Sequence, residues 1–159
     1  MASRFRKRLR DEGGTSLIEA ALITPLLLLL TFAIIDFGAV FYAYLALENG
    51  VSQATRYAVT GNLMDDPASP GSKLSRQDSI KAAMRQATPT LTLADTNFSF
   101  SHRAVSGGPW VGGSGGPGEL EKVSINYTWR FMTPVVRVFF TGGQLSLQVD
   151  SAMKNEGFQ

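Results

Sequence analysis

A single apolar run near the N-terminus is the feature that most constrains the fold of this chain. From Leu17 to Ile35 the sequence reads LIEAALITPLLLLLTFAII, and Glu19 is the one charged residue among these 19 positions. A helix needs about 20 apolar residues to cross a bilayer, and it satisfies its own backbone hydrogen bonds there. Pro25 removes one backbone donor, which membrane helices tolerate. The run therefore predicts a transmembrane helix.

Positive charge is concentrated before this run. The chain has 159 residues and a net charge of +2, yet residues 1–14 alone carry five basic and two acidic side chains, a net +3. The positive-inside rule predicts that this leader stays in the cytoplasm and that residues after about 40 lie outside it. The alternative is a cleaved secretory signal, which has a shorter apolar stretch and an exit site of the A-x-A kind. The run leads instead into Asp36-Phe37-Gly38-Ala39, so we expect a retained anchor.

Composition narrows the classes of chemistry that the chain can perform. Cysteine is absent, which excludes disulfides and thiolate metal sites, and the one histidine, His102, cannot form a multi-histidine site. A catalytic triad would have to use His102, for example with Asp95 or Ser101, and no Gly-x-Ser-x-Gly motif surrounds it. We therefore expect no enzyme activity, no cofactor, no metal and no small-molecule substrate. The net charge is too small to indicate nucleic-acid binding.

The helical pattern continues beyond the apolar run. An apolar stripe follows at alternating steps of four and three residues, as in a heptad pattern. Its members are Ala33, Phe37, Val40, Tyr44, Leu47, Val51, Ala54 and Ala58. One helix over 15–59 would be roughly 65 Å long, with a transmembrane half at about 17–38 and an amphipathic half beyond it. The stripe has two possible occupants, the chain's own C-terminal domain or a neighbouring subunit. In the second case Phe37, Val40, Tyr44, Leu47 and Val51 form the partner surface.

Residues 60–159 are predicted to form an α+β domain outside the cytoplasm. A loop over 61–75 precedes a short helix, which Ser75 caps and Thr88-Pro89 ends. The segments 97–105, 121–132 and 144–153 alternate with period two, as in a half-buried antiparallel sheet. A glycine-rich loop over 106–118, with an exposed Trp110, joins the first two segments. Residues 133–143 either cover the sheet or form a short helix. The expected fold class is α+β, with a long N-terminal helix packed on a small antiparallel sheet.

The residues before the span introduce a family resemblance. The sequence Glu12-Gly13-Gly14-Thr15-Ser16-Leu17-Ile18-Glu19 resembles the signal of type IV pilins, in which prepilin peptidase cuts after Gly and Glu is the fifth mature residue. Further along, Pro25, Leu26 to Leu30, Asp36-Phe37-Gly38 and Ala54-Thr55-Arg56 are similar to the N-terminal signature of TadE-like proteins. Those proteins are pilin-like components of the tight-adherence (Tad/Flp) pilus system. The resemblance implies cleavage between Gly14 and Thr15.

The resemblance also implies a role in assembly. A carboxylate in lipid is costly and is usually paired, so a freed Thr15 amine on this or an adjacent subunit would neutralise Glu19. The simpler interpretation of Glu19 is an interfacial side chain that reaches the headgroups. Asp36 is either solvated at the outer interface or takes part in subunit pairing, and Arg56 contacts its own helix or the domain.

The function that follows from the resemblance is that of a minor pilin or pseudopilin in the bacterial inner membrane. It would span the membrane once, with its domain in the periplasm or outside the cell, and it could also enter the pilus. Its partners would be prepilin peptidase and other pilins or Tad-system membrane proteins. The alternative is a membrane-anchored binding or adhesion domain that never enters a filament.

Overall fold

The structure of the chain is a computed structural model that describes residues 12–157. The basic part of the predicted cytoplasmic leader, residues 1–11, lies outside the described residues. The predicted leader as a whole, 1–14, is therefore seen only at its last few positions.

A 48-residue helix, α1 (Glu12–Val59), dominates the molecule. It begins before the predicted start at residue 15, and it ends at the residue where the apolar stripe predicts its end. Among the described helices it alone is long and apolar enough to cross a membrane, and no residue of its most apolar window is buried within the described part of the chain. Pro25 is accommodated inside the helix.

A four-stranded antiparallel sheet forms the second layer. Its strands are β1 (Phe98–Arg103), β2 (Val111–Gly112), β3 (Leu120–Arg130) and β4 (Gln144–Lys154), in the spatial order β2-β1-β3-β4. The α+β fold class is therefore confirmed. Strands β1, β3 and β4 coincide with the three alternating segments of the sequence. The short β2, which pairs Val111 with His102, was not predicted.

Two further helices complete the fold. Helix α2 (Arg76–Ala87) begins at the predicted cap, where Ser75 Oγ accepts a hydrogen bond from the Asp78 amide at 3.1 Å. The connection over 133–143 contains the short helix α3 (Pro134–Arg137), one of the two forms expected for it. Single turns of 3₁₀ helix, Asp95–Asn97 and Thr141–Gly143, precede β1 and β4.

Strand β3 runs antiparallel to α1 and gives the domain two distinct ends. At one end, the Met132 amide just after β3 donates to the Asp36 carboxylate in the middle of α1. At the other end, the Glu156 amide after β4 donates to the carbonyl oxygen of Val59, at the end of α1. We call the first the membrane-proximal end and the second, which contains β2, the membrane-distal end.

The core lies between α1, α2 and the inner face of the sheet. Period-two alternation places the apolar side chains of β3 and β4 on this face, as predicted, because each strand must cover one side of the helix. The buried hydrophobic side chains are Val40, Ala43, Leu47, Val51, Ala54, Ala58, Ile80, Met84, Leu93, Val123, Ile125, Phe131, Val136, Leu147 and Val149. All of α1 before Ala33 lies outside this core.

Candidate functional site

The apolar stripe of α1 is largely consumed by the chain's own domain. Leu47 is fully buried, and Val51 and Val40 are nearly so, all within the core. At these positions the stripe therefore packs against the chain's own C-terminal domain, which was the first of the two alternatives. The prediction that Val40, Leu47 and Val51 form part of a partner surface is therefore wrong, because almost none of their surface is exposed.

Phe37 and Tyr44 lie at the edge of the buried face. Phe37 contacts the rings of Phe131 and Phe140 in its own domain, with centroid distances of 6.0 and 6.1 Å, while half of its surface remains exposed. Tyr44 is 37% exposed. The fully buried positions at this level of α1 are instead Asp36 and Ala43, which precede Phe37 and Tyr44 by one residue each. Phe37 thus supports the junction between the helix and the domain, and Tyr44 remains a candidate contact.

Asp36 links α1 to the membrane-proximal end of the domain. Its carboxylate is fully buried and accepts hydrogen bonds from the backbone amides of Met132 and Thr133, each at 3.1 Å, and from the Thr133 hydroxyl. These donors satisfy the two carboxylate oxygens, so the buried group is not left without partners. Both sequence-based interpretations of Asp36, a solvated interfacial group or a subunit contact, are therefore wrong.

The opposite side of α1 carries exposed apolar residues well beyond the apolar run. Phe41 is 64% exposed and Leu45 is 41% exposed, and both lie about half a helical turn away from the buried face. They continue the row formed by Leu27 and Ile34, which are also exposed. Glu48 and Arg56 take over on this side nearer the end of the helix, where both are solvent-exposed. We call Phe41 and Leu45, with Tyr44 beside them, the outer face of α1.

The residues of the predicted cleavage and charge-pairing site lie in the first turns of α1. Gly14 and Thr15 are both helical, so the bond between them belongs to the first helical turn. Glu19 follows Thr15 by four residues, which places the two on the same side of the helix. The Glu19 side chain is exposed to the exterior of the chain. A terminal amine at Thr15 would therefore lie on the same side of α1 as this carboxylate.

A buried ion pair at the membrane-distal end was missed by the sequence reasoning. Arg76 Nη2 donates to Glu121 Oε2 at 2.6 Å and to the Ala58 carbonyl oxygen at 3.0 Å. Burial raises the pKa of the Glu121 carboxyl above its ordinary value, and the positive charge of Arg76 opposes that rise only in part. The signal was present, because Glu121 has the same parity as the inward-facing Val123 and Ile125. A glutamate on that face requires a buried partner.

A second polar cluster holds the glycine-rich loop against the sheet. Glu119 Oε2 accepts from the Gly116 amide at 2.7 Å and lies 3.0 Å from His102 Nδ1. The Gly116 hydrogen bond holds the pKa of the Glu119 carboxyl below its ordinary value, and His102 adds to the effect. Asn155 donates to the carbonyl oxygens of Gly115 and Gly116 at 3.1 and 2.9 Å. His102 therefore has a contact that stabilises the loop.

The other residues of the enzymatic alternative are placed apart from His102. Asp95 accepts a hydrogen bond from Arg85 Nη2 at 2.6 Å, beside α2. Ser101 precedes His102 in β1, so its side chain points to the opposite face of the sheet.

Trp110 in the glycine-rich loop is less exposed than expected. Its ring is half-buried and lies near two cations, with the Arg103 guanidinium 4.7 Å and the Lys122 ammonium 4.8 Å from the ring centroid. Such cation–π contacts fix an aromatic side chain on a polar sheet surface. The contacts attach the loop to β1 and β3.

Together these features define a class of protein: one apolar helix that indicates single-pass membrane anchoring, with a small α+β domain folded around its second half. The sequence model of the family described as TadE-like protein matches residues 14–56, almost all of α1 and nothing beyond it. This match confirms the resemblance and indicates a membrane protein associated with the Tad pilus. No curated protein and no solved structure matches the chain.

Proposed function

We propose that this chain is a minor pilin or pseudopilin of a Tad-type pilus, embedded in the bacterial inner membrane by residues 17–38. The family match over α1 supports a role in that system. The basic leader favours a cytoplasmic N-terminus and a domain in the periplasm or outside the cell. Assembly rather than catalysis is the proposed role, because the contacts of His102 and Asp95 hold the fold together.

The outer face of α1 is the observation that favours assembly most strongly. Leu45 lies nine residues beyond Asp36, which corresponds to roughly 14 Å along the helix at about 1.5 Å per residue. Phe41 and Leu45 therefore project past the point where the domain begins, yet neither is covered by it. Apolar surface that continues a membrane helix into an aqueous compartment is typical of a surface that binds another protein. A second pilin-like helix fits this narrow row.

Glu19 would set the register of such a helix bundle. It lies in a predicted apolar environment, where an ionised carboxylate is stable only with a counter-charge. Cleavage after Gly14 by prepilin peptidase would supply that charge as the Thr15 amine. Because one axial offset brings amine and carboxylate together, the pair would select one arrangement of neighbouring helices.

The experiment compares Glu19→Gln and Gly14→Val in a host that makes the pilus. Glu19→Gln removes the charge but keeps the shape, and Gly14→Val places a branched side chain at the peptide bond to be cut. Both proteins should insert in the membrane and fold, and both strains should lose most of their pili and their crosslinks to pilins. Mass spectrometry should find Thr15 as the first residue in wild type and an uncut chain in Gly14→Val. Wild-type piliation in both strains would refute the pairing.

The adhesion alternative makes a different prediction for the same strains. A binding domain that never enters a filament needs only its anchor, so surface binding should survive both substitutions. It should also survive removal of residues 1–14 if insertion is maintained. Loss of pili with retained surface binding would therefore favour a protein that acts in assembly and also binds at the surface.

A further inference from the structure

The membrane-proximal end of the domain carries a concentrated apolar surface. Val138 is 83% exposed, Phe139 is 73% exposed and Met132 is 66% exposed, although the segment 132–139 is part of a folded domain. The side chain of Val136 in the same segment is buried in the core. Val136 therefore holds the segment in place, while the side chains of Met132, Val138 and Phe139 are exposed away from the core. We call residues 132–139 the α3 loop.

This loop lies beside the apolar half of α1. Val135 shares a shallow groove with Pro25, Leu28, Leu29 and Phe32, all within the predicted span 17–38. Of these, Phe32 is nearest to Asp36 along the helix, about one helical turn before it. Pro25 lies roughly 16 Å before Asp36 along the helix axis, at about 1.5 Å per residue. The loop thus extends past Asp36 towards the N-terminus of the helix, to a level that the span places in lipid.

The anchoring of the loop makes this placement specific. Asp36 accepts hydrogen bonds from the Met132 and Thr133 amides, so the start of the loop is fixed to the helix. Arg137 Nε donates to the Phe131 carbonyl oxygen at 2.7 Å, which fixes its other side. Polar backbone that enters the membrane boundary must be satisfied internally, and these contacts provide part of that.

We propose that the α3 loop inserts into the leaflet on the domain side of the membrane, as a second membrane contact besides α1. Met132, Val135, Val138 and Phe139 would enter the acyl boundary. Arg130 and Arg137, which flank one shallow pocket at the base of the loop, would face the lipid phosphates. The loop lies alongside the span itself, at the level of Pro25 to Phe32, whereas the outer face of α1 lies beyond the span; this position favours lipid over a protein partner. This second contact would fix the tilt and rotation of the domain on the membrane.

The absence of cysteine from the sequence allows a direct test. Val138→Cys and Val111→Cys are made in the full chain, labelled with an environment-sensitive fluorophore and placed in phospholipid nanodiscs at one chain per disc. The two positions are matched, because Val111 is an exposed valine at the membrane-distal end, 54% accessible. Neither substitution removes a core contact.

The label at Val138 should show blue-shifted emission, and lipids with a nitroxide near the headgroup should quench it several-fold more strongly than the label at Val111. Equal, water-like emission and equal quenching at the two positions would overturn the proposal. Shielding of the Val138 label only in discs with two chains would also overturn it, because the surface would then bind protein. Circular dichroism of both variants should match that of wild type.

Discussion

Asp36 joins two parts of the chain that are 96 residues apart in sequence. A carboxylate in the middle of α1 is buried only because Met132 and Thr133 bring three donors to it. No local pattern around Asp36 contains that information, since the donors belong to a distant loop and two of them are backbone groups. Its burial could not be predicted from the sequence for this reason.

We expect Asp36→Asn to destabilise the domain by about 2–3 kcal/mol. The side-chain NH₂ group of asparagine would face a donor of the loop, so one buried backbone amide of the loop would lose its acceptor. Urea unfolding of the full chain in detergent measures the change in the free energy of unfolding. Hydrogen exchange should speed up at residues 132–134 in particular. Asp150→Asn, an exposed site on β4, is the matched control and should change stability by less than about 0.5 kcal/mol. Equal effects at the two sites would contradict the role of Asp36.

Two glutamates near the start of β3 should respond to pH in opposite directions. Burial raises the pKa of Glu121, so the folded chain holds that proton at pH values where the unfolded chain has lost it. The contribution of Glu121 to stability is therefore greatest below about pH 4.5 and falls as the pH rises through the raised pKa. The pKa of Glu119 is lowered, so its contribution is present above about pH 4.5 and is lost as the pH falls.

Substitution by Gln removes each titration in turn. From about pH 4.5 upwards, the stability of wild type relative to Glu121→Gln should decline. Below about pH 4.5, the stability of wild type relative to Glu119→Gln should decline as acid is added. Unfolding curves at several pH values give both differences. A stability advantage of Glu121 that grows with pH would mean that the Arg76 charge outweighs burial.

At the scale of elements, the contact of α1 with α2 depends on one glycine. A Cβ atom built on Gly50 would lie 2.4 Å from Thr88 Cγ2 and 3.4 Å from two atoms of Met84. At Gly38, in the same helix, a Cβ atom would have no such neighbour within 4 Å. Close approach of the two helices therefore requires glycine at 50, whereas position 38 tolerates a side chain.

We expect Gly50→Ala to destabilise the domain by about 1–3 kcal/mol through overpacking. Gly38→Ala should be neutral or stabilising by up to about 1 kcal/mol, because alanine is the better helix former. Thermal unfolding of the two variants tests both predictions. Each variant should keep the far-ultraviolet circular dichroism spectrum of wild type. A neutral Gly50→Ala would show that α2 can move away without cost.

The elements also show which features of the fold can be predicted from sequence periodicity alone. The length of α1, its end at Val59 and the inward parity of β3 follow from local pattern, because each element buries one face. The exact rotation of α1 does not. A step of 3.5 residues drifts by about 20° per heptad against a straight helix, so Phe37 and Tyr44 move to the edge while Asp36 and Ala43 face the domain. Strand β2 was missed because two residues in a glycine-rich loop contain no pattern.

For the whole molecule, the decisive feature is that one helix serves two environments. In its first half, no residue of the most apolar window is buried by the described part of the chain, and its second half supplies one layer of the core. The α+β class and the membrane anchor could both be predicted, since hydropathy and alternation are local. The partner surface could not be predicted, because it consists of the apolar residues that the domain leaves exposed. Only the packed structure shows that Phe41 and Leu45 are among these residues.

Site-specific photocrosslinking from the outer face of α1 tests the central claim most directly. A photoreactive phenylalanine analogue replaces Phe41 in a strain that makes the pilus, and in a second strain it replaces Val111 at the membrane-distal end. The account predicts that Phe41 forms adducts with a pilin or another Tad-system membrane protein, whereas Val111 forms few or none. Efficient incorporation and normal membrane insertion without any intermolecular adduct at Phe41 would contradict it.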